Sequence, residues 1–248
     1  MGAAFVVTLR EGFEAALIVS IVLAYLNAVG RRDRFGSIWI GVAAAVGLSL
    51  VAGLIIFLTA GALSHRAQEA FEGIVTLLAV GVLTWMIFWM RRQARYIKGE
   101  LQQKVDTALE SGSTLALGTI AFIAVLREGF ETVLFLFAAF RAAEAESAAL
   151  RVGGALLGLA AAAVIAFLIY RGGIRLNLRT FFLVTGVMLL AVAAYLINYG
   201  VHELQEIGWI PEISWLRTAI WAGYLVVTGY LFFRPARATA RQQPTAVG

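Results

Sequence analysis

The sequence predicts an all-α integral membrane protein. Seven transmembrane helices form two inverted three-helix repeats plus one extra helix, with the N-terminus outside and the C-terminus inside. Three observations carry that prediction. Seven apolar runs approach the ~20 residues that a helix needs to cross a bilayer. The basic residues sort to alternate sides of those runs. The hexapeptide Leu-Arg-Glu-Gly-Phe-Glu occurs twice, at Leu9 to Glu14 and at Leu126 to Glu131.

In chain order, the apolar runs cover residues 3–29, 37–61, 71–90, 115–140, 152–170, 180–199 and 215–233. Met1 to Leu9 has no basic leader and no small-residue cleavage site, so it reads as the start of the first span and not as a removed signal peptide. The spans divide the chain into a first three-helix repeat (1–90), a charged cytoplasmic connecting helix or loop (91–114) and a second, inverted repeat (115–199). An outer loop with the seventh span (200–234) and a disordered cytoplasmic tail (235–248) complete it. Trp39, Trp85 and Trp89 fall near inner span ends, and Trp209 and Trp215 near outer ones, as interfacial aromatics do.

Composition excludes the other classes. With 61% hydrophobic and 14% charged residues and a mean hydropathy of +0.85, this is not a soluble domain. The runs are too long and too little alternating for a β-barrel. The net charge of +5 does not indicate nucleic acid, because 14 of the 20 basic residues lie on the inner side and four on the outer. That asymmetry is the positive-inside pattern, and it fixes the predicted orientation. Seven of the acidic residues lie outside and four inside, a bias compatible with a cation-collecting outer face. The chain has no cysteine, hence no disulfide and no thiolate ligand.

An offset of 117 pairs residues 4–18 with 121–135, and nine of the fifteen pairs are identical. The same offset carries Gly41 to Ala45 onto Gly158 to Ala162. Each unit holds three spans, so the second copy enters the membrane from the opposite side. Inverted repeats of this kind place substrate sites near the midplane, where the related helices meet.

The motif puts ionisable groups where they are expensive, ~2.5 to 3.5 kcal/mol each on insertion scales, which marks them as a candidate substrate path. Residues three and four apart share a helix face. Glu11 therefore points with Glu14, and Glu128 with Glu131, while Arg10 and Arg127 sit four residues before the second glutamate of each copy. Gly12 and Gly129 are expected to let the two motif helices cross closely. Carboxylates crowded in a low dielectric repel one another, and a cation relieves the repulsion. Four glutamates against two arginines leave two negative charges, which a divalent ion cancels. The reading is an oxygen-rich metal site of Glu11, Glu14, Glu128 and Glu131, with Arg10 and Arg127 orienting the carboxylates. Oxygen donors suit hard or borderline cations. The competing structural reading, intrahelical Arg10–Glu14 and Arg127–Glu131 ion pairs, leaves Glu11 and Glu128 without partners.

The paired Arg-Glu-Gly-Phe-Glu motifs, the seven spans and the run from Glu72-Gly73 to Trp89-Met90-Arg91-Arg92 resemble the iron permease family, which includes oxidase-coupled fungal permeases and bacterial EfeU-type permeases. The resemblance covers residues 1 to about 233. It implies iron uptake across the cytoplasmic membrane, with iron (Fe2+ or Fe3+) as substrate, no resident cofactor and no enzymatic activity. The motif glutamates would be its ligands. It also brings in a periplasmic or extracellular iron oxidase or iron-binding partner as an expectation.

Outer acidic elements of that family are matched by Glu69 and Glu72 at the start of the third span, although a helix N-terminus favours acids without any ligand role. His202, Glu203 and Glu206, in the loop before the last span, form a second outer group. Carboxylates select poorly among divalent ions, so a permease for manganese or lead is the alternative within transport. Outside transport, the alternative is a membrane metal oxidoreductase. A haem-based one needs paired axial ligands within the membrane, and His65 and His202 both lie in predicted loops.

Overall fold

A computed structural model describes residues 1–248 except 94–96, 111–112, 172–176, 214 and 235–248. The described residues form helices and no strands. The helices are α1 (Gly2–Ala28), α2 (Phe35–Ala62), α3 (His65–Gln93), α4 (Ile97–Glu110), α5 (Thr114–Ala142), α6 (Ala148–Tyr170), α7 (Leu178–Glu206) and α8 (Leu216–Phe233), with a 3-10 turn at Arg32–Arg34. By length and composition, α2, α3, α6, α7 and α8 are long and apolar enough to cross a membrane. The charged motifs lie on α1 and α5, of 27 and 29 residues. The tail expected to be disordered, 235–248, lies outside the described residues.

Two helices outrun their apolar sequences. The third span is expected to begin at residue 71, yet α3 starts at His65, its first turn bridged by the His65 Nδ1–Glu69 Oε1 contact at 2.7 Å. The expected outer loop from residue 200 is helical as far as Glu206, so His202, Glu203 and Glu206 occupy the last turns of α7. There His202 Nε2 pairs with Glu206 Oε1 at 3.2 Å. Polar i,i+4 pairs extend a helix past the point where hydropathy stops supporting it.

The dominant packing pairs are α1 with α6, α2 with α5, and α3 with α7. Exchanging α1 for α5, α2 for α6 and α3 for α7 returns the same set. The first two pairs run parallel, since Gly158 meets Phe5 to Leu9, and Gly41 meets Gly118 to Phe122. The third is antiparallel: Gly73 lies against Glu203 and Leu204, and Gly186 against Ile87. α8 packs on α7.

In lipid, helix association gains little from apolar burial and depends on close van der Waals fit, so small residues gather at the contacts. Gly41 and Gly158, related by the 117-residue offset, make the closest approaches to the backbone of a neighbouring helix. A methyl group on Gly41 would overlap the Gly118 carbonyl oxygen, and one on Gly158 would overlap Thr8 Oγ1 and the Phe5 carbonyl oxygen. Thr8 Oγ1 ties the second contact by donating to the Ala155 carbonyl at 2.8 Å. Valine at position 158 is expected to cost about 3 kcal/mol or more, above ordinary overpacking because backbone atoms must move. The measurement is the yield of monodisperse protein in detergent. Gly47→Val, where an added Cβ meets nothing within 4 Å, should leave that yield unchanged.

The connecting segment supplies α4, an amphipathic helix seated against α1 and α5. Leu101, Val105 and Ala108 bury against a cluster containing Leu26, Leu117 and Ala121. Tyr25 donates to Asp106 Oδ1 at 2.5 Å. α4 therefore closes one end of the space between the two motif helices. The opposite end carries the N-terminus, whose ammonium pairs with Glu146 in the α5–α6 connection. Large apolar side chains such as Leu54, Leu58, Leu156 and Val226 are exposed on α2, α6 and α8, as on a surface that faces lipid.

Candidate functional site

Each motif copy sits well inside its helix. Its glutamates point into the bundle, where α1 and α5 pass each other in opposite directions. Carboxylate oxygens of Glu11, Glu128 and Glu131 lie within 4.8 Å of one another, a spacing that one cation can bridge. Among the described residues, no other group of three or more His, Cys, Asp or Glu meets that criterion. Glu11 and Glu128 are buried, with side-chain exposures of 0% and 1%, and Glu131 is largely so. Both Glu11 oxygens, Glu128 Oε2 and Glu131 Oε2 lack a hydrogen-bond donor. Buried polar oxygens are almost always paired. A donor-free oxygen on each of the three carboxylates in this group makes it a candidate ligand set for a cation.

Glu14, the fourth expected ligand, is not part of that group. Arg10 Nε holds it at 3.0 Å, both side chains being buried, and Arg10 Nη1 stands 3.8 Å from Glu11 Oε1. The second copy is arranged differently. Arg127 grips its neighbour Glu128 through Nη2 at 2.5 Å and Nε at 3.0 Å, and its Nε lies 3.7 Å from Glu131. The Arg127 side chain is 45% exposed, against 2% for Arg10. Its guanidinium carbon stands 5.1 Å from the centroid of the Trp89 ring, and Trp89 is stacked on Trp85.

The motif glycines serve contacts other than the expected one. A Cβ on Gly12 would meet Leu159 and Ala162 of α6, and one on Gly129 would overlap Ser49 of α2. Each glycine thus seats the parallel partner of its own helix and not the other motif helix. Of the motif phenylalanines, Phe13 is buried against Phe181, centroid to centroid at 4.1 Å, whereas Phe130 is exposed.

The outer candidates gather where the start of α3 meets the end of α7. Glu72 is buried and fully engaged: it accepts from Gln68 Nε2 at 2.8 Å and from the Tyr199 hydroxyl at 2.8 Å, and it pairs with Arg141 Nε at 3.3 Å. It links α3 to α5 and α7. Glu203 is buried beside Gly73, with the Tyr199 hydroxyl against it. Glu69 is taken by His65, and Glu206 by His202. Arg141, Gln68 and Tyr199 are not among the candidate residues that the sequence motifs single out. Two of the three were legible in spacing, since Gln68 precedes Glu72, and Tyr199 precedes Glu203, by one helical turn.

Membrane-length apolar helices around a group of buried carboxylates drawn from two copies of one motif are the features expected of a membrane metal-ion transporter. Residues 1–212 match the iron permease FTR1 family, and the chain belongs to it. It is 47% identical over 206 residues to the ferrous iron permease EfeU of Escherichia coli O6:K15:H31 (strain 536 / UPEC), covering 82% of this chain and 74% of that protein. The ferrous iron permease EfeU of Shigella sonnei (strain Ss046) is similar to the same extent. That of Yersinia pestis is 41% identical over 206 residues, with 82% and 72% covered. No solved structure matches significantly. The protein is therefore an iron permease of the membrane and not an enzyme, which removes the oxidoreductase alternative.

Proposed function

We propose that the protein carries ferrous iron inward across the cytoplasmic membrane, binding it between Glu11, Glu128 and Glu131. α1, α2 and α3 are the first repeat, α5, α6 and α7 the inverted second, and α8 the additional seventh span. The N-terminus is outside and the α4 end cytoplasmic. The observation that carries this reading is the grouping of Glu11, Glu128 and Glu131, from both motif copies, with carboxylate oxygens within 4.8 Å of one another and a donor-free oxygen on each residue. The exchange symmetry of the helix packing supports the inverted repeat. Ferrous iron is favoured because the relatives named above are ferrous iron permeases, and because four glutamates against two arginines leave the charge that a divalent ion cancels.

Glu69, Glu203 and Glu206 with His202 gather cations at the outer face, while Glu72 fastens the helices there. Any periplasmic iron oxidase or iron-binding partner would deliver to this end. The site empties inward as one repeat rocks against the other.

The test is radio-iron uptake by the purified protein in sealed vesicles, with and without competing metals. Ferrous iron is expected to accumulate and to outcompete equimolar manganese and lead. If manganese were carried as readily as iron, the cargo would be divalent cations in general. If no metal accumulated, the transport site would lie elsewhere.

A further inference from the structure

The two motif arginines are identical in sequence and unlike in place, and that difference has a use. Arg10 is sealed in and fixed on Glu14. Arg127 lies half-exposed near the middle of α5, where a guanidinium facing lipid is expensive, and such groups face a water-filled cavity instead. Side chains on a helix lean toward its N-terminus, which for Arg127 is the α4 end. Trp89, beneath the guanidinium, is four residues from the end of α3 and so marks the same direction.

We propose that Arg127 is a positioning cation that exchanges with the transported ion, that Trp89 is the platform onto which it withdraws, and that the space it faces is the aqueous exit toward the α4 end. The inference rests on the three-glutamate site proposed above. Arg127 holds one oxygen of Glu128 and stands beside Glu131, so it covers two of the three proposed ligands. Guanidinium remains charged at any working pH and cannot share those oxygens with a second cation without repulsion. An arriving ion displaces it, and the face of an indole is the side-chain surface best suited to receive it. Its return to Glu128 and Glu131 then expels the ion on the exposed side. Arg10, walled in, has no such freedom.

The chain has no native cysteine, so single cysteines report without background. In sealed vesicles of either orientation, Trp89→Cys is expected to react with a membrane-impermeant methanethiosulfonate only from the cytoplasmic side, and Arg10→Cys from neither. Arg127→Gln is expected to bind ferrous iron about tenfold more tightly while maximal uptake falls about tenfold, because removing one charge-assisted competitor is worth about one decade. Trp89→Leu, which leaves the motif intact, should slow uptake without weakening binding.

Labelling of Trp89→Cys from the outer side or from neither overturns the exit. Affinity and uptake falling together in Arg127→Gln, as for a merely structural arginine, overturns the exchange. Failure of the underlying site would look different, since Glu11→Gln would then bind and carry ferrous iron as the unsubstituted protein does.

Discussion

Replacing Glu11 by glutamine is expected to abolish iron uptake and, at the same time, to raise the thermal stability of the empty protein. The two effects have one cause. Glu11 is fully buried, and neither of its oxygens receives a hydrogen bond. Its nearest cation, Arg10 Nη1, is 3.8 Å away and shared with Glu14. A carboxylate so placed costs the folded state several kcal/mol, of order the penalty for an uncompensated buried ion. Glutamine keeps the shape and removes the charge, so the empty protein gains. The loaded protein loses one of three charged ligands, a change expected to weaken iron binding by more than about 100-fold, near 2.7 kcal/mol.

Iron at 100 times its dissociation constant should stabilise the native site by about 2.7 kcal/mol, and that increment should vanish in Glu11→Gln. Melting in detergent with and without ferrous iron, beside radio-iron uptake at matched abundance, reads both. Undiminished uptake in this variant would remove Glu11 from the site. A lower melting temperature for the empty variant would show that Glu11 stabilises the fold.

Much of this architecture is written in the chain. The 117-residue repeat and the hydropathy runs located the helices that bear the motif, and charge alone singled out its six ionisable residues. What local sequence could not show is how two identical hexapeptides would differ. Arg10 is buried on α1, whose Phe13 packs on Phe181 of α7, and Arg127 opens from α5 toward Trp89 of α3. The distinction comes from neighbours more than 35 residues away in sequence. The partners of Gly12 and Gly129 escaped for the same reason. Helical spacing says that a face is narrow, not which helix fills it. The seating of α4 was likewise hidden, because an amphipathic segment has the same pattern on a membrane surface as on the ends of a bundle.

That broken symmetry gives Arg10 a second and contrary expectation. Arg10→Met should remove most folded protein from the membrane, because it strands Glu14 as a buried carboxylate whose ion pair at 3.0 Å has been lost. Breaking a buried pair from one side typically costs about 3 to 5 kcal/mol, a large share of a marginal stability. Removing both partners is a different matter. In Arg10→Met with Glu14→Met, no charge is stranded and the two side chains are replaced by apolar groups of similar length, so abundance should return. The net charge of the site is unaltered, and Glu11, Glu128 and Glu131 are all present. Iron uptake by the double variant is therefore expected within about tenfold of the native rate, against its loss in Glu11→Gln. Membrane abundance and radio-iron uptake across the two single variants and the double one decide the role of Glu14. A double variant that is abundant yet inactive would make Glu14 a fourth ligand that Arg10 releases when the ion arrives. A double variant as scarce as Arg10→Met would mean that Arg10 supports the fold through something other than its bond to Glu14.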